Sequence, residues 1–86
     1  MPKIKLFALT TCVWCKKTID LLEKNKIQFE LIYIDKLKGK EREKALNAIR
    51  RYNPRISFPT LVVEDEIIVG FDEERIKKVL KIMDRN

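Results

Sequence analysis

Cys12 and Cys15 are the only two thiols of this 86-residue chain, and they stand three positions apart in the stretch LFALTTCVWCKKTIDLLEKN. A cross-link that serves stability gains most by closing a long loop, so a pair this close together points to chemistry instead. One candidate is metal ligation. A structural zinc site takes four Cys or His ligands, and with two Cys and no His a single chain cannot complete one, although a dimer sharing two pairs can. Two incidental buried thiols are the bland alternative. Against both stands the setting of the pair, because C-x-x-C between a strand and a helix is the context of thiol–disulfide exchange.

The flanking elements supply that setting. KIKLFAL (Lys3 to Leu9) and QFELIYID (Gln28 to Asp35) are short runs rich in branched and aromatic residues, which predicts two strands. Between them Cys15, Ile19 and Leu22 recur at i, i+4 and i+7, the apolar stripe of a helix that begins near Val13. Cys12 then falls at the helix N-terminus, where free backbone N–H groups and the positive end of the dipole favour a thiolate. Cys15 falls on the core-facing stripe. The two thiols are therefore expected to differ: Cys12 is placed to attack another molecule's disulfide, and Cys15 to attack the mixed disulfide that results. Lys16 and Lys17 add positive charge in the same turns or stand simply solvated.

Further along, GKEREKALNAIRRY predicts a second helix with Ala45, Ala48, Ile49 and Tyr52 on one face, ended by Asn53-Pro54. In TLVVEDEIIVG two short apolar runs flank Glu64-Asp65, which predicts a hairpin without the usual turn glycine. A last helix opens at Asp72 as N-cap, with Glu73 and Glu74 in its first turn and Ile76, Val79, Leu80 and Met83 as its buried stripe. The order β-α-β-α-β-β-α, with a right-handed parallel crossover first, predicts an α/β domain whose four-stranded mixed sheet is covered by helices on both faces. Pro59 stands directly before the third strand, where it removes a ladder donor.

Length and composition agree with one small domain spanning residues 1–86. About 60% of the unfolded chain's surface is hidden at this size, which supports a modest core, and 45% hydrophobic with 37% charged residues is an ordinary globular balance. The N-terminal MPKIKLFALTT lacks the apolar run of a signal peptide and no stretch approaches a membrane span, so a soluble cytoplasmic protein is expected. In that reducing compartment a close Cys pair is more often catalytic or metal-binding than a permanent cross-link. The net charge of +6 leans towards acidic partners, and Lys36, Lys38, Lys40, Arg42, Lys44, Arg50, Arg51 and Arg55 gather around the second helix. Nucleic acid is nevertheless not expected as a partner, since Glu41 and Glu43 interrupt the run and no aromatic platform accompanies it.

Three motifs, TTCVWC, SFPT and VGFDEERIKKVL, together with the element order, resemble the glutaredoxin branch of the thioredoxin superfamily over nearly the whole chain. The resemblance implies a thioredoxin fold and a monomeric dithiol oxidoreductase that binds no cofactor and reduces protein disulfides or glutathione mixed disulfides. It implies that Cys12 attacks and Cys15 resolves, and that a cis Phe58-Pro59 bond faces the pair so that the Phe58 backbone meets an extended substrate. It further places Thr11, Val13, Trp14, Arg55, Gly70, Phe71 and Asp72 around the substrate, the last three as a rim for the γ-glutamyl end of glutathione. Two departures bear on the reductant. Leu9 stands where glutaredoxins usually carry a Lys for a glutathione carboxylate, and Val69 replaces one Gly of a Gly-Gly pair, leaving Arg55 as the available cation. The Val13-Trp14 filling and the Gly70-Phe71 pair are similar to small redoxins that donate electrons to ribonucleotide reductase and are recharged by thioredoxin reductase. Cys15 argues against the monothiol members with C-G-F-S, which carry iron-sulfur clusters.

Overall fold

The computed structural model describes residues 3–81. The elements run β1 (Ile4–Ala8), α1 (Val13–Lys24), β2 (Glu30–Tyr33), a 3-10 turn (Ile34–Lys36), α2 (Gly39–Tyr52), β3 (Thr60–Val63), β4 (Glu66–Val69) and α3 (Glu73–Leu80). Strand order in the single four-stranded sheet is β2-β1-β3-β4. β1 pairs parallel with β2 and antiparallel with β3, and β3 pairs antiparallel with β4, so the sheet is mixed as expected.

Strand alternation sorts the core into two layers. Ile4, Leu6 and Ala8 of β1, Leu61 and Val63 of β3 and Ile68 of β4 face α1 and α3, where Cys15, Ile19, Leu22 and Ile76 close against them. On the opposite face Phe7 and Val62 meet Ile34 and Ile49, which brings α2 onto the sheet. Leu6, Leu22, Leu61, Ile68 and Ile76 lose essentially all contact with solvent, a burial that contributes about 2 kcal/mol for each such side chain. No helix among the described residues is long and apolar enough to cross a membrane.

Three expectations need correction. β2 ends at Tyr33 rather than Asp35, because β1 supplies no ladder partner beyond Ala8 and the chain coils into the 3-10 turn, with the Leu37 N–H donating to the Ile34 carbonyl at 3.2 Å. It also starts late, since pairing begins at Lys5 opposite Glu30, leaving Gln28 and Phe29 outside the ladder. On α2 the inward face is Ala45, Leu46, Ala48 and Ile49, whereas Tyr52, the last helical residue, stays 40% exposed where the chain turns away at Asn53.

The hairpin forms despite its Glu64-Asp65 turn. Glu64 takes the positive φ of 54° that a glycine would adopt readily, and it is tied down by its N–H donating to the Lys3 carbonyl at 3.0 Å while its Oε1 accepts from the Lys3 N–H at 3.2 Å. At α3 the Asp72 carboxylate accepts from the Arg75 N–H at 3.2 Å, the N-cap bond read from the sequence. Met83 lies outside the described residues.

Candidate active site

β1 leads directly into the cysteine pair. After Ala8 the chain makes one turn, with Thr10 and Thr11 at its centre and the Cys12 N–H donating to the Leu9 carbonyl at 3.2 Å. Cys12 is the residue that caps α1: its backbone is extended, φ −90° and ψ 116°, and its Sγ accepts from the Cys15 N–H at 3.1 Å. A sulfur there takes the place that Ser or Asp oxygens take in ordinary caps.

Cys15 sits one turn deeper and is fully buried, while Cys12 remains partly open to solvent. Burial, and after it the hydrogen bonding with Cys12, pushes the Cys15 thiol up to about 12. At neutral pH Cys15 is therefore a protonated, shielded thiol, and both cysteines are free.

Beside the pair is a cleft of about 280 Å³ lined by Trp14, Phe58, Gly70 and Phe71. Trp14 and Phe71 stack at 6.1 Å between ring centroids and 23° between planes, joining the first turn of α1 to the loop before α3. Lys17 Nζ lies 4.8 Å from the Trp14 ring centroid, a cation–π contact, so this lysine is not merely solvated. The cleft wall is partly wet, with Trp14 55% exposed.

The back of the cleft is held by a built loop. The Phe58-Pro59 peptide bond is cis, Pro59 is buried, and its carbonyl accepts from the Gly70 N–H at 2.8 Å. Gly70 has φ 82°, the left-handed conformation in which a side chain is strained. Beneath them the buried Asn53 donates to Ser57 Oγ at 2.9 Å, and the Thr60 hydroxyl donates to the Ser57 carbonyl at 2.6 Å.

The residues expected around a substrate are thus divided. Trp14, Phe58, Gly70 and Phe71 form the cleft, Pro59 supports it, and Val13 stands exposed on the same helical turn as Trp14. Thr11 is exposed at the centre of the Leu9–Cys12 turn. Arg55 lies in the exposed turn after α2 and is not among the residues lining the cleft. Asp72 spends its carboxylate on the α3 N-terminus, next in the chain to Phe71. Leu9 packs partly buried on the α2 side of the sheet.

Sequence reasoning missed Asp35. Its carboxylate accepts the Thr10 N–H on both oxygens, 3.1 Å to each, and also the Thr10 hydroxyl. The hydroxyl, first among the causes, holds the Asp35 carboxyl below the usual carboxylate range. The available signal was the parallel pairing of the first two strands, which sets the ends of β1 and β2 side by side.

With this geometry established, comparison with known proteins identifies the lineage. The family model for glutaredoxin matches residues 4–68. The chain belongs to the glutaredoxin family. A glutaredoxin-like 8.6 kDa protein from a rubredoxin operon of Clostridium pasteurianum is 30% identical over 79 residues, covering 91% of this chain and 97% of its own length. Among solved structures, a glutaredoxin from Methanosarcina mazei Go1 is 46% identical with a TM-score of 0.85, over 91% of this chain and 77% of the other. Methanoredoxin from Methanosarcina acetivorans is 42% identical with a TM-score of 0.86, over 91% and 83%. This glutaredoxin accordingly has the thioredoxin fold, and its activity is that of a thiol–disulfide oxidoreductase.

Proposed function

We propose that the protein reduces protein disulfides or glutathione mixed disulfides by a dithiol mechanism in which Cys12 attacks and Cys15 resolves. The observation that carries this reading is the inequality of the two sulfurs: Cys12 caps a helix and is partly open, whereas Cys15 is buried and held as a thiol. The Cys12 thiolate attacks one sulfur of the substrate, forming a Cys12–substrate disulfide and expelling the other sulfur as a thiolate. Cys15 then gives up its proton to that thiolate or to solvent and attacks the Cys12 sulfur. A Cys12–Cys15 disulfide forms, the second substrate thiol leaves, and two electrons have passed to the substrate. No bound cofactor takes part.

The apolar cleft suits an extended peptide whose side chains lie on Trp14, Phe58 and Phe71 while its backbone pairs with that of Phe58. Protein disulfides are the substrates this wall accommodates best.

A second reading concerns the electron donor. Leu9 is packed against the α2-side core and Arg55 is outside the cleft lining, so neither supplies the lining with a cation, and the nearest one placed there is Lys17, over the Trp14 ring at 4.8 Å. That favours a redoxin recharged by thioredoxin reductase over one recharged by glutathione. The experiment offers the reduced protein a model protein disulfide and a glutathione mixed disulfide, then offers the oxidised protein glutathione with its reductase, or thioredoxin reductase with NADPH. Thiol release from the disulfides and faster recovery with thioredoxin reductase are expected. Failure to reduce either disulfide would overturn the proposed function, and faster recovery with glutathione would overturn the second reading alone.

A further inference from the structure

β1 and β2 run parallel with Ala8 opposite Tyr33. The same offset of 25 residues, carried two positions past the strand ends, brings Thr10 against Asp35. There the carboxylate gathers the Thr10 backbone N–H on both oxygens and the Thr10 hydroxyl on Oδ2. Hydrogen bonds to an ionised acceptor are roughly twice as strong as neutral ones, and the Thr10 hydroxyl holds this carboxyl below the usual range, so the acceptor is ionised at neutral pH.

Thr10 is no ordinary loop residue, because it is a central residue of the turn whose last member is Cys12. Where that turn closes decides where α1 begins, and hence whether the Cys12 sulfur or solvent receives the Cys15 N–H. We propose that Asp35 is a positioning residue for the exchange reaction: by holding Thr10 it keeps the turn closed and Cys12 Sγ on the helix N-terminus. The proposal rests on the dithiol mechanism above for its importance. Asp35 also lies near enough to Cys15 for its charge to help keep that thiol protonated, but the positioning effect is read at Cys12.

Positioning and simple electrostatics predict opposite signs. A carboxylate near a thiolate disfavours it, so if Asp35 acted through its field, removing it would make Cys12 react faster. If it positions the turn, removal makes Cys12 react slower. The experiment measures the rate of Cys12 alkylation by iodoacetamide at pH 7 in the reduced protein, with circular dichroism melting to verify folding. Asp35→Ala is expected to slow the reaction about five-fold, the scale of losing one helix cap. Thr10→Val, which keeps both backbone bonds to Asp35, is expected to slow it about two-fold, and Thr10→Ser to restore the wild-type rate. Because both changes cut one link, the double variant should be no slower than Asp35→Ala alone.

An unchanged or faster rate in Asp35→Ala would overturn the proposal, as would a Thr10→Ser protein as slow as Thr10→Val, or a double variant showing the product of the two losses. Should Asp35→Ala fail to fold, the Thr10→Val and Thr10→Ser pair decides the question. Alkylation does not use Cys15, so a failure of the dithiol mechanism shows in turnover while a failure of this proposal shows here.

Discussion

With Cys15 replaced by serine, the reduced protein is expected to stall on a protein disulfide as a covalent conjugate through Cys12. The first step survives, because Cys12 keeps its place on the α1 N-terminus and the Cys15 N–H that it accepts is a backbone group. The second step fails, since a serine hydroxyl does not become a nucleophile for disulfides at neutral pH. Turnover on protein disulfides should fall about a hundred-fold or more, the scale of losing a nucleophile that acts as part of a unit. Non-reducing electrophoresis should show a conjugate of the protein and substrate masses that disappears with dithiothreitol. Release of substrate thiols at the wild-type rate, with no conjugate, would mean that Cys15 does not resolve.

The larger loss is expected from Cys12→Ser. Cys15 cannot take over, because it is fully buried and its thiol is pushed up to about 12, so at pH 7 its thiolate is scarce and out of reach of a protein substrate. Turnover should fall by about a thousand-fold or more, to the background rate. The fold should persist, as Cys12 contributes little to the buried core and a serine hydroxyl caps helices well. Circular dichroism and a disulfide-reduction assay on the same sample check both halves. A Cys12→Ser protein that retained most of its activity would require a different nucleophile.

The parts of this site that were legible in the sequence are those written in local spacing. The stripe of Cys15, Ile19 and Leu22 sets the phase of α1, and that phase alone makes Cys15 buried and leaves Cys12 at the cap. The Asp72 cap and the strand pairing around Glu64-Asp65 were likewise local patterns. What escaped depends on residues distant in the chain. Trp14 stacks on Phe71 only because the fold brings the first turn of α1 to the loop before α3. Asp35 looked like the end of a strand, because its partner Thr10 becomes visible only once the register of β1 and β2 is known. On α2, Leu46 and Tyr52 exchanged places relative to the expected face: the helix ends at Tyr52, where no neighbouring turn holds the ring inward.

Arg55 is instructive in a different way. It stands four residues before Pro59 and is exposed in the turn after α2, and it is not among the residues that line the cleft. The cleft that remains is lined by three aromatic side chains and Gly70.

The inequality of the two sulfurs underlies every step proposed for this glutaredoxin, and competitive alkylation measures it directly. Fully reduced protein is treated with limiting iodoacetamide at pH 7, digested and mapped by mass spectrometry. Cys12, partly exposed on a helix N-terminus, should carry at least about ten times more label than Cys15, buried with its thiol pushed up to about 12. Equal labelling of the two, or preference for Cys15, would contradict the account.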